Sequence, residues 1–399
     1  MAFGLKSVGI VGGSLAGLEA AKTLRSFDFD GRVVMIGGES HLPYDRPPLS
    51  KQLLLGEYSE SDCQLEFDHD ALGVELWLGH RAESLDAASR TISLEGGETA
   101  RFDGLVIATG ARARVLEQCS LAGVYSLRTI DDARSLTAEL DTQPTRVVVI
   151  GGGFIGTEVA AACRNRGIDV TVVEGLQQPM AQVLGVEVGA LVASLHRDNG
   201  VDIRLNVSVV DILGTDRVEN LVLSDGTVLP ADVVVVAIGA LPETDWLKSS
   251  GLSIDGGLIC DQYCQVAPNI VAAGDVARWW SVRLGRLARN EHWDNAIRQG
   301  RHAALTLLAS AELRVPETYD PVPWVWSDQY GIKFQIIGSP TPYDEVHIVQ
   351  GDLHQVLALY RSGTQLAGAF AIGYGRRMLQ VRRAFEVGAT WLDALALVT

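Results

Sequence analysis

The sequence predicts an α/β chain: two doubly wound parallel-sheet domains followed by a small α+β domain. Three observations predict it. A glycine-rich turn framed by β-branched strands occurs twice, each time followed by a helix-forming stretch, a second strand and an acid. Apolar runs such as Val233–Leu241 have the length of buried strands and fall well short of a bilayer span. From about Thr318 the spacing shortens to strands separated by turn residues.

In chain order, Val8–Val11 lead into Gly12-Gly13-Ser14-Leu15-Ala16-Gly17, a helix to about Arg25, a strand at Arg32–Ile36 and Glu39. In a dinucleotide-binding turn the first glycine permits the bend and the second admits a pyrophosphate to the backbone. The third lets the helix pack close on the strand. Ser14 stands at the second position. It is small, and its hydroxyl can donate to a phosphate, so the turn reads as a tolerated variant. Glu39 has no arginine beside it, which suits a ribose with a free 2′-hydroxyl or a flavin nucleotide.

The second copy has all three glycines. Arg146–Ile150 is a strand, Gly151-Gly152-Gly153-Phe154-Ile155-Gly156 the turn, and a helix and the strand Asp169–Val173 precede Glu174. A pyrophosphate would sit on the N–H groups at the helix start, where the macrodipole favours negative charge. Glu174 stands where a carboxylate accepts hydrogen bonds from an adenosine ribose. It would repel a 2′-phosphate, and Gly175-Leu176-Gln177-Gln178 has no arginine to receive one, so NADH is expected. Two such Rossmann-like folds require two dinucleotides, or one lobe that has lost its ligand. The third region contains strand-like Glu345–Val349, Gln355–Tyr360 and Leu366–Ile372, the last two around Ser362-Gly363. A helical stretch follows at Arg376–Val387.

A chain of 399 residues, 47% hydrophobic, is long enough for two or three cores. A net charge of −16 argues against nucleic acid or an anionic membrane as the general partner. Five cysteines without close pairing suit a reducing cytosol, and residues 1–11 carry no evident secretory signal, so a cytoplasmic protein is expected. No histidine–cysteine cluster has metal-ligand spacing, so no metal is expected.

Pro43-Tyr44-Asp45-Arg46-Pro47-Pro48-Leu49-Ser50-Lys51, after the first fingerprint, resembles the FAD-dependent ferredoxin reductases that serve Rieske-type oxygenases and bacterial cytochrome monooxygenases. The remaining family motifs follow in order over nearly the whole chain, more weakly in the last domain. Leu105–Gly110 resembles the strand closing the FAD domain, with Ala108, Thr109 and Gly110 at its end, and Arg128 sits where the family places an arginine against FAD. Ala231–Gly239 is a buried strand ending in Ile238-Gly239, and Asn269–Asp275 resembles the return into the FAD domain. Glu291-His292-Trp293 and Trp324–Gln329 resemble segments flanking the isoalloxazine ring.

The resemblance implies a discontinuous FAD domain (1–115 and 246–317), an NAD domain (116–245) and a C-terminal reductase domain (318–399). It implies non-covalent FAD held by Gly12, Ser14, Ala16, Gly17, Glu39, Arg46, Lys51, Ala82, Ala108, Thr109, Gly110, Arg128, Asp275, Trp293 and Trp326. NADH would be held by Gly151, Gly153, Phe154, Ile155, Gly156, Glu158, Glu174, Ile238 and Gly239. Lys51 and Glu158 are the implied catalytic pair, the glutamate reaching the flavin edge and pairing with the lysine, whose charge near N5 would stabilise reduced flavin. An ordinary salt bridge is the alternative. His292 is read as a packing or hydrogen-bonding residue rather than a proton donor. In relatives an arginine often follows the proline after the acid, and Pro179-Met180-Ala181-Gln182 lacks it.

Related flavoproteins that reduce disulfides or peroxide carry a cysteine near flavin where this chain has Ser50-Lys51-Gln52. Cys260 and Cys264 read as structural. Stepwise electron delivery to a two-iron two-sulfur ferredoxin therefore fits best, with rubredoxin reduction or NADH oxidase or peroxidase activity as alternatives. A redox-gated interaction protein like apoptosis-inducing factor is the alternative of another class. Arg278, Arg283, Arg286 and Arg289, with Arg376, Arg377, Arg382 and Arg383, form two basic groups that would dock an acidic carrier, or simply two solvated faces.

Overall fold

A computed structural model describes residues 4–116, 121–312, 315–341, 344–351 and 355–398. These form two compact units. One combines Met1–Asp45, Gln64–Arg112 and Leu241–Pro321; the other combines Arg46–Cys63, Ala113–Ala240 and Val322–Thr399.

In the first unit Ser7–Val11 lies between Arg32–Gly37 and Gly104–Ile107, parallel to both. It belongs to a six-stranded sheet that also takes in Val74–Leu78, Ile270–Ala272 and Gln265–Ala267, only the last running antiparallel. Val8, Ile10, Val34 and Val106 are fully enclosed, as a parallel sheet covered on both faces requires. The fingerprint helix Leu15–Ser26 packs on the long helix Trp293–Ala311. A Cβ on Gly300 would be driven into the Ala16 carbonyl, so these helices meet backbone to backbone.

The second unit repeats the theme. Arg146–Ile150 lies between Asp169–Glu174 and Val233–Val236, with Asp202–Leu205 and Val124–Ser126 at the edges, all parallel. The run expected as one strand over 231–239 is strand only at Val233–Val236, because the chain turns at Gly239 with φ +102°. After Glu174 comes the helix Ala181–Asp198, interrupted at Gly185 (φ 73°, ψ 174°).

The same unit holds a five-stranded antiparallel sheet of order Trp324–Gln329, Ile332–Gly338, Gln365–Ile372, Val356–Ser362, Glu345–Gly351. Its strands alternate, with two buried faces. Ala358, Tyr360, Phe334 and Phe370 pack on Leu184, Val188 and Val192 of the helix Ala181–Asp198. Leu357, Leu359 and Ala369 pack on Met378, Val381 and Phe385 of the C-terminal helix Gly375–Glu386 and on Ala394. The fold is thus α/β with two Rossmann-like sheets and a C-terminal α+β region. Among the described residues no helix is long and apolar enough to cross a membrane.

Candidate functional site

In the first unit Gly12 has φ +127°, and a Cβ there would be driven into the Ala108 carbonyl; one on Gly17 would strike Gly12's own carbonyl. The turn therefore closes tightly against the strand end that carries Ala108, Thr109 and Gly110. Thr109 Oγ1 donates to the Glu243 carbonyl at 2.8 Å. Ser14 caps the helix with extended backbone (φ −131°, ψ −165°), and its hydroxyl makes no capping bond. Glu39 Oε2 accepts the Tyr44 hydroxyl at 2.6 Å, and Ala82 opens the strand Ala82–Asp86, half-buried against this core.

Asp275 sits in the single turn Gly274–Val276, held from behind by buried amides. Gly274 N donates to Gln299 Oε1 at 3.0 Å, as does Asn295 Nδ2 at 3.2 Å, and Asn295 Oδ1 accepts the Tyr319 hydroxyl at 2.9 Å. Trp293 Nε1 donates to Asp45 Oδ1 at 2.8 Å. His292 beside it has its pKa lowered to about 4 by desolvation, and its Nδ1 is buried without a partner among the described residues. It is neutral near pH 7 and carries no imidazolium proton to give.

In the second unit Gly151 has φ +103° against the Ala237 carbonyl, and a Cβ on Gly156 would be driven into the Gly151 carbonyl. Gly153 differs from both. It is exposed at φ −77°, and nothing lies within 4 Å of where its Cβ would stand. Gly239 is equally open, while Phe154 and Ile238 are half-buried and Ile155 exposed. Glu174 spans the turn: Oε2 accepts Gly152 N–H at 2.6 Å and Oε1 accepts Leu176 N–H at 2.8 Å. An open backbone at the helix start beside an acid pinned at the strand end fits a dinucleotide's pyrophosphate and ribose.

From Arg46 onward the proline-rich stretch belongs to this second unit. Pro47–Ser50 forms one tight turn, and Gln52–Leu55 a short helix, which set Lys51 against the fingerprint helix Phe154–Asn165. Lys51 Nζ lies 2.8 Å from Glu158 Oε2, with side chains only 10% and 4% exposed. Ser50 Oγ donates to the same oxygen at 2.5 Å, and Ser327 Oγ donates to Glu158 Oε1 at 2.6 Å. Arg46 Nη1 donates to the Arg128 carbonyl at 2.6 Å, which joins two more of the expected positions. Trp326 lies on the other face of its strand from Ser327, its ring 5.5 Å from that of Trp324.

Ser50, Ser327 and Gln329 lie in motifs the sequence singled out but were given no role of their own, and Thr157 and His196 escaped the reading of the sequence. The available signal was polar Ser327 and Gln329 two apart on one strand, hence on one face.

The eight arginines are divided between the units. Arg278 pairs with Asp255 and Arg289 with Glu291, both at 2.5 Å. Arg382 pairs with Glu386 at 3.4 Å and lies over the Trp324 ring, and Arg377 lies over Tyr374. Arg283, Arg286, Arg376 and Arg383 are exposed. Cys63, Cys163, Cys260 and Cys264 are buried free thiols; Cys119 lies outside the described residues. Burial pushes Cys163 and Cys264 up to about 12 and raises Cys260 well above its ordinary value, so none of these three is a thiolate at neutral pH.

Two glycine cradles on parallel sheets, each with an acid at the neighbouring strand's end, define an oxidoreductase fold built for two dinucleotides. The chain belongs to the pyridine nucleotide-disulphide oxidoreductase family, which its residues 6–300 match, while residues 324–397 match the reductase C-terminal family. It is an FAD-dependent oxidoreductase that uses NADH. Rhodocoxin reductase of Rhodococcus erythropolis is 35% identical over 387 residues, 94% of this chain and 88% of that protein. The anthranilate 1,2-dioxygenase system ferredoxin–NAD(+) reductase component of Burkholderia cepacia is 36% identical over 389 residues, 95% and 94%. The solved covalent putidaredoxin reductase–putidaredoxin complex matches with a TM-score of 0.88 at 31% identity, covering 95% of this chain and 92% of that one.

Proposed function

We infer that this chain is an NADH-dependent flavoprotein reductase that delivers single electrons to a ferredoxin feeding an oxygenase. FAD, once bound, supplies the chemistry that accepts a hydride and releases its electrons one at a time. The observation that carries the reading is the buried Lys51–Glu158 pair; by resemblance, disulfide-reducing relatives carry a cysteine where this chain has Ser50-Lys51-Gln52. The raised pKa values of Cys163, Cys260 and Cys264 speak against the oxidase or peroxidase alternative.

The residues divide the work. Gly12, Ser14, Ala16 and Gly17, with Ala108, Thr109 and Gly110, receive the FAD pyrophosphate, and Glu39 its ribose. Asp275, Arg46, Arg128, Ala82, Trp293 and Trp326 complete the flavin contacts. Gly151, Gly153 and Gly156 receive NADH on the helix Phe154–Asn165, with Phe154, Ile155, Ile238 and Gly239 around the nucleotide and Glu174 on its ribose. Lys51 supplies a fixed positive charge, and Glu158 holds its ammonium in place. A fixed cation 4 Å from developing negative charge is worth about 4 kcal/mol at an effective dielectric of 20. The functional domains are 1–115 with 246–317, 116–245 and 318–399. The carrier is a two-iron two-sulfur ferredoxin steered by the two arginine groups, and the protein works in the cytoplasm.

Anaerobic stopped-flow reduction tests this. NADH should bleach the flavin band far faster than NADPH, Glu174→Gln should narrow that preference about tenfold, and an acidic two-iron two-sulfur ferredoxin should restore the band. Protein that stays colourless after refolding with FAD, or bleached flavin that ferredoxin does not reoxidise, would overturn the reading.

A further inference from the structure

Behind Glu158 the second unit holds a buried polar chain that the mechanism above leaves unused. Gln329 Nε2 lies 2.9 Å from Thr157 Oγ1 and 3.0 Å from Ser327 Oγ, and Gln329 Oε1 lies 2.8 Å from His196 Nε2. His196 Nδ1 is 2.9 Å from the Tyr330 hydroxyl. Ser327, Gln329 and His196 are each at most 1% exposed.

The proton on each atom follows by elimination. Thr157 has one hydroxyl proton, and it donates to the Gly153 carbonyl at 2.9 Å or the Phe154 carbonyl at 3.1 Å. Thr157 Oγ1 must therefore accept from Gln329, which places the amide nitrogen on the hydroxyl side and Oε1 toward His196. His196 then carries its proton on Nε2, and Nδ1 accepts from the Tyr330 hydroxyl. This is a neutral imidazole, in keeping with burial that lowers its pKa to about 4. Ser327 accepts from Gln329 and has its single proton left for Glu158 Oε1. From Tyr330 through His196 and Gln329 to Ser327 the donors run toward the carboxylate, while the second amide proton of Gln329 goes to Thr157.

We propose that Ser327 and Gln329 are positioning residues for Lys51: a one-way hydrogen-bond chain from Tyr330 through His196 and Gln329 to Ser327 occupies Glu158 Oε1, so that the lysine is held on Oε2 alone. A carboxylate with only Oε2 engaged is free to turn, and Lys51 then shifts between its oxygens by about the width of the group. A catalytic charge has to be held within about 0.5 Å to keep its effect. Ser50 and Lys51 crowd Oε2; Ser327 blocks the other choice. The proposal rests on the reading of Lys51 and Glu158 given above.

The test compares flavin-loaded Ser327→Ala, Gln329→Leu, Lys51→Met and the double variant Ser327→Ala/Lys51→Met. Limiting rates of flavin reduction by NADH, the flavin absorption band and the melting temperature are measured on each. Ser327→Ala and Gln329→Leu are expected to slow the limiting rate about tenfold, with KM for NADH within twofold and a shifted flavin band. In the Lys51→Met background Ser327→Ala should change the rate no further, because it acts through the lysine. If Lys51→Met slows reduction and the two single variants leave rate and band unchanged, the positioning role is overturned and the reading of Lys51 stands. Ser327→Ala slowing both backgrounds equally would overturn the positioning role in the same way. If Lys51→Met itself leaves rate and band unchanged, the reading beneath it fails as well.

Discussion

Lys51 and Glu158 face each other at 2.8 Å with both side chains almost excluded from solvent. Burying two charges costs more than a surface pair returns, and removing one leaves the other stranded. Lys51→Met should therefore destabilise the protein by about 3 kcal/mol, because among the described residues Glu158 keeps only its two serine donors. The double variant Lys51→Met/Glu158→Leu should recover at least half of that loss. Urea unfolding of the four members of the cycle measures it; additive losses would show that the two charges are not coupled.

The two turn glycines of the second unit should respond in opposite ways. A methyl on Gly156 collides with the Gly151 carbonyl, so Gly156→Ala has to push the helix Phe154–Asn165 off its strand and should lower the melting temperature by at least about 5 °C. Gly153 has ordinary φ and open space around it, so Gly153→Ala should melt like the wild type. If NADH binds at this turn as proposed, the methyl stands in its path and raises KM about tenfold. Equal melting losses in both variants would contradict this division of roles.

Both glycine turns were legible in the sequence because the backbone at Gly12 and Gly151 leaves no alternative residue, and each turn sits between strands that must be buried. The C-terminal sheet was legible as short strands separated by turn residues, such as those around Ser362-Gly363. Other features depend on chain segments far apart. An apolar helix face does not name its partner, so nothing in Leu184, Val188 and Val192 announced the sheet residues Phe334 and Phe370. The helix Ala181–Asp198 and its break at Gly185 were not read from the sequence. Ser327 reaches Glu158 only because a strand from the last region packs on the fingerprint helix. The same holds for charge: Arg278 read as a basic residue until Asp255 was found beside it.

His196 should make the fold sensitive to mild acid. Unfolded, it protonates near 6.5; folded, burial holds its pKa at about 4. Between these values the unfolded state binds more protons, so stability falls as pH drops from 6.5 to 4 and levels off below. At 1.36 kcal/mol per unit this reaches about 3 kcal/mol. His292 and His302, also shifted down by desolvation, act in the same direction. Unfolding midpoints recorded from pH 7 to pH 4.5 should decline in the wild type and decline less in His196→Gln. Parallel curves would remove His196 from the account.

The arginine groups set the final prediction. The chain carries a net charge of −16, so the proposed docking of an acidic ferredoxin requires the arginine groups to supply a local attraction against the repulsion of the whole. Arg278, Arg289 and Arg382 have acids beside them, and Arg283, Arg286, Arg376 and Arg383 are the exposed members. Steering by exposed charge weakens as the Debye length shrinks, from about 10 Å at 0.1 M salt to about 3 Å at 1 M. Ferredoxin reduction at limiting carrier should therefore slow several-fold across that range, while flavin reduction by NADH stays constant. Arg376→Glu/Arg383→Glu should lower kcat/KM for ferredoxin about tenfold at low salt and much less at high salt. If salt leaves the wild-type rate unchanged, both groups are merely solvated faces, because a carrier docked through them has to cross the same screened field.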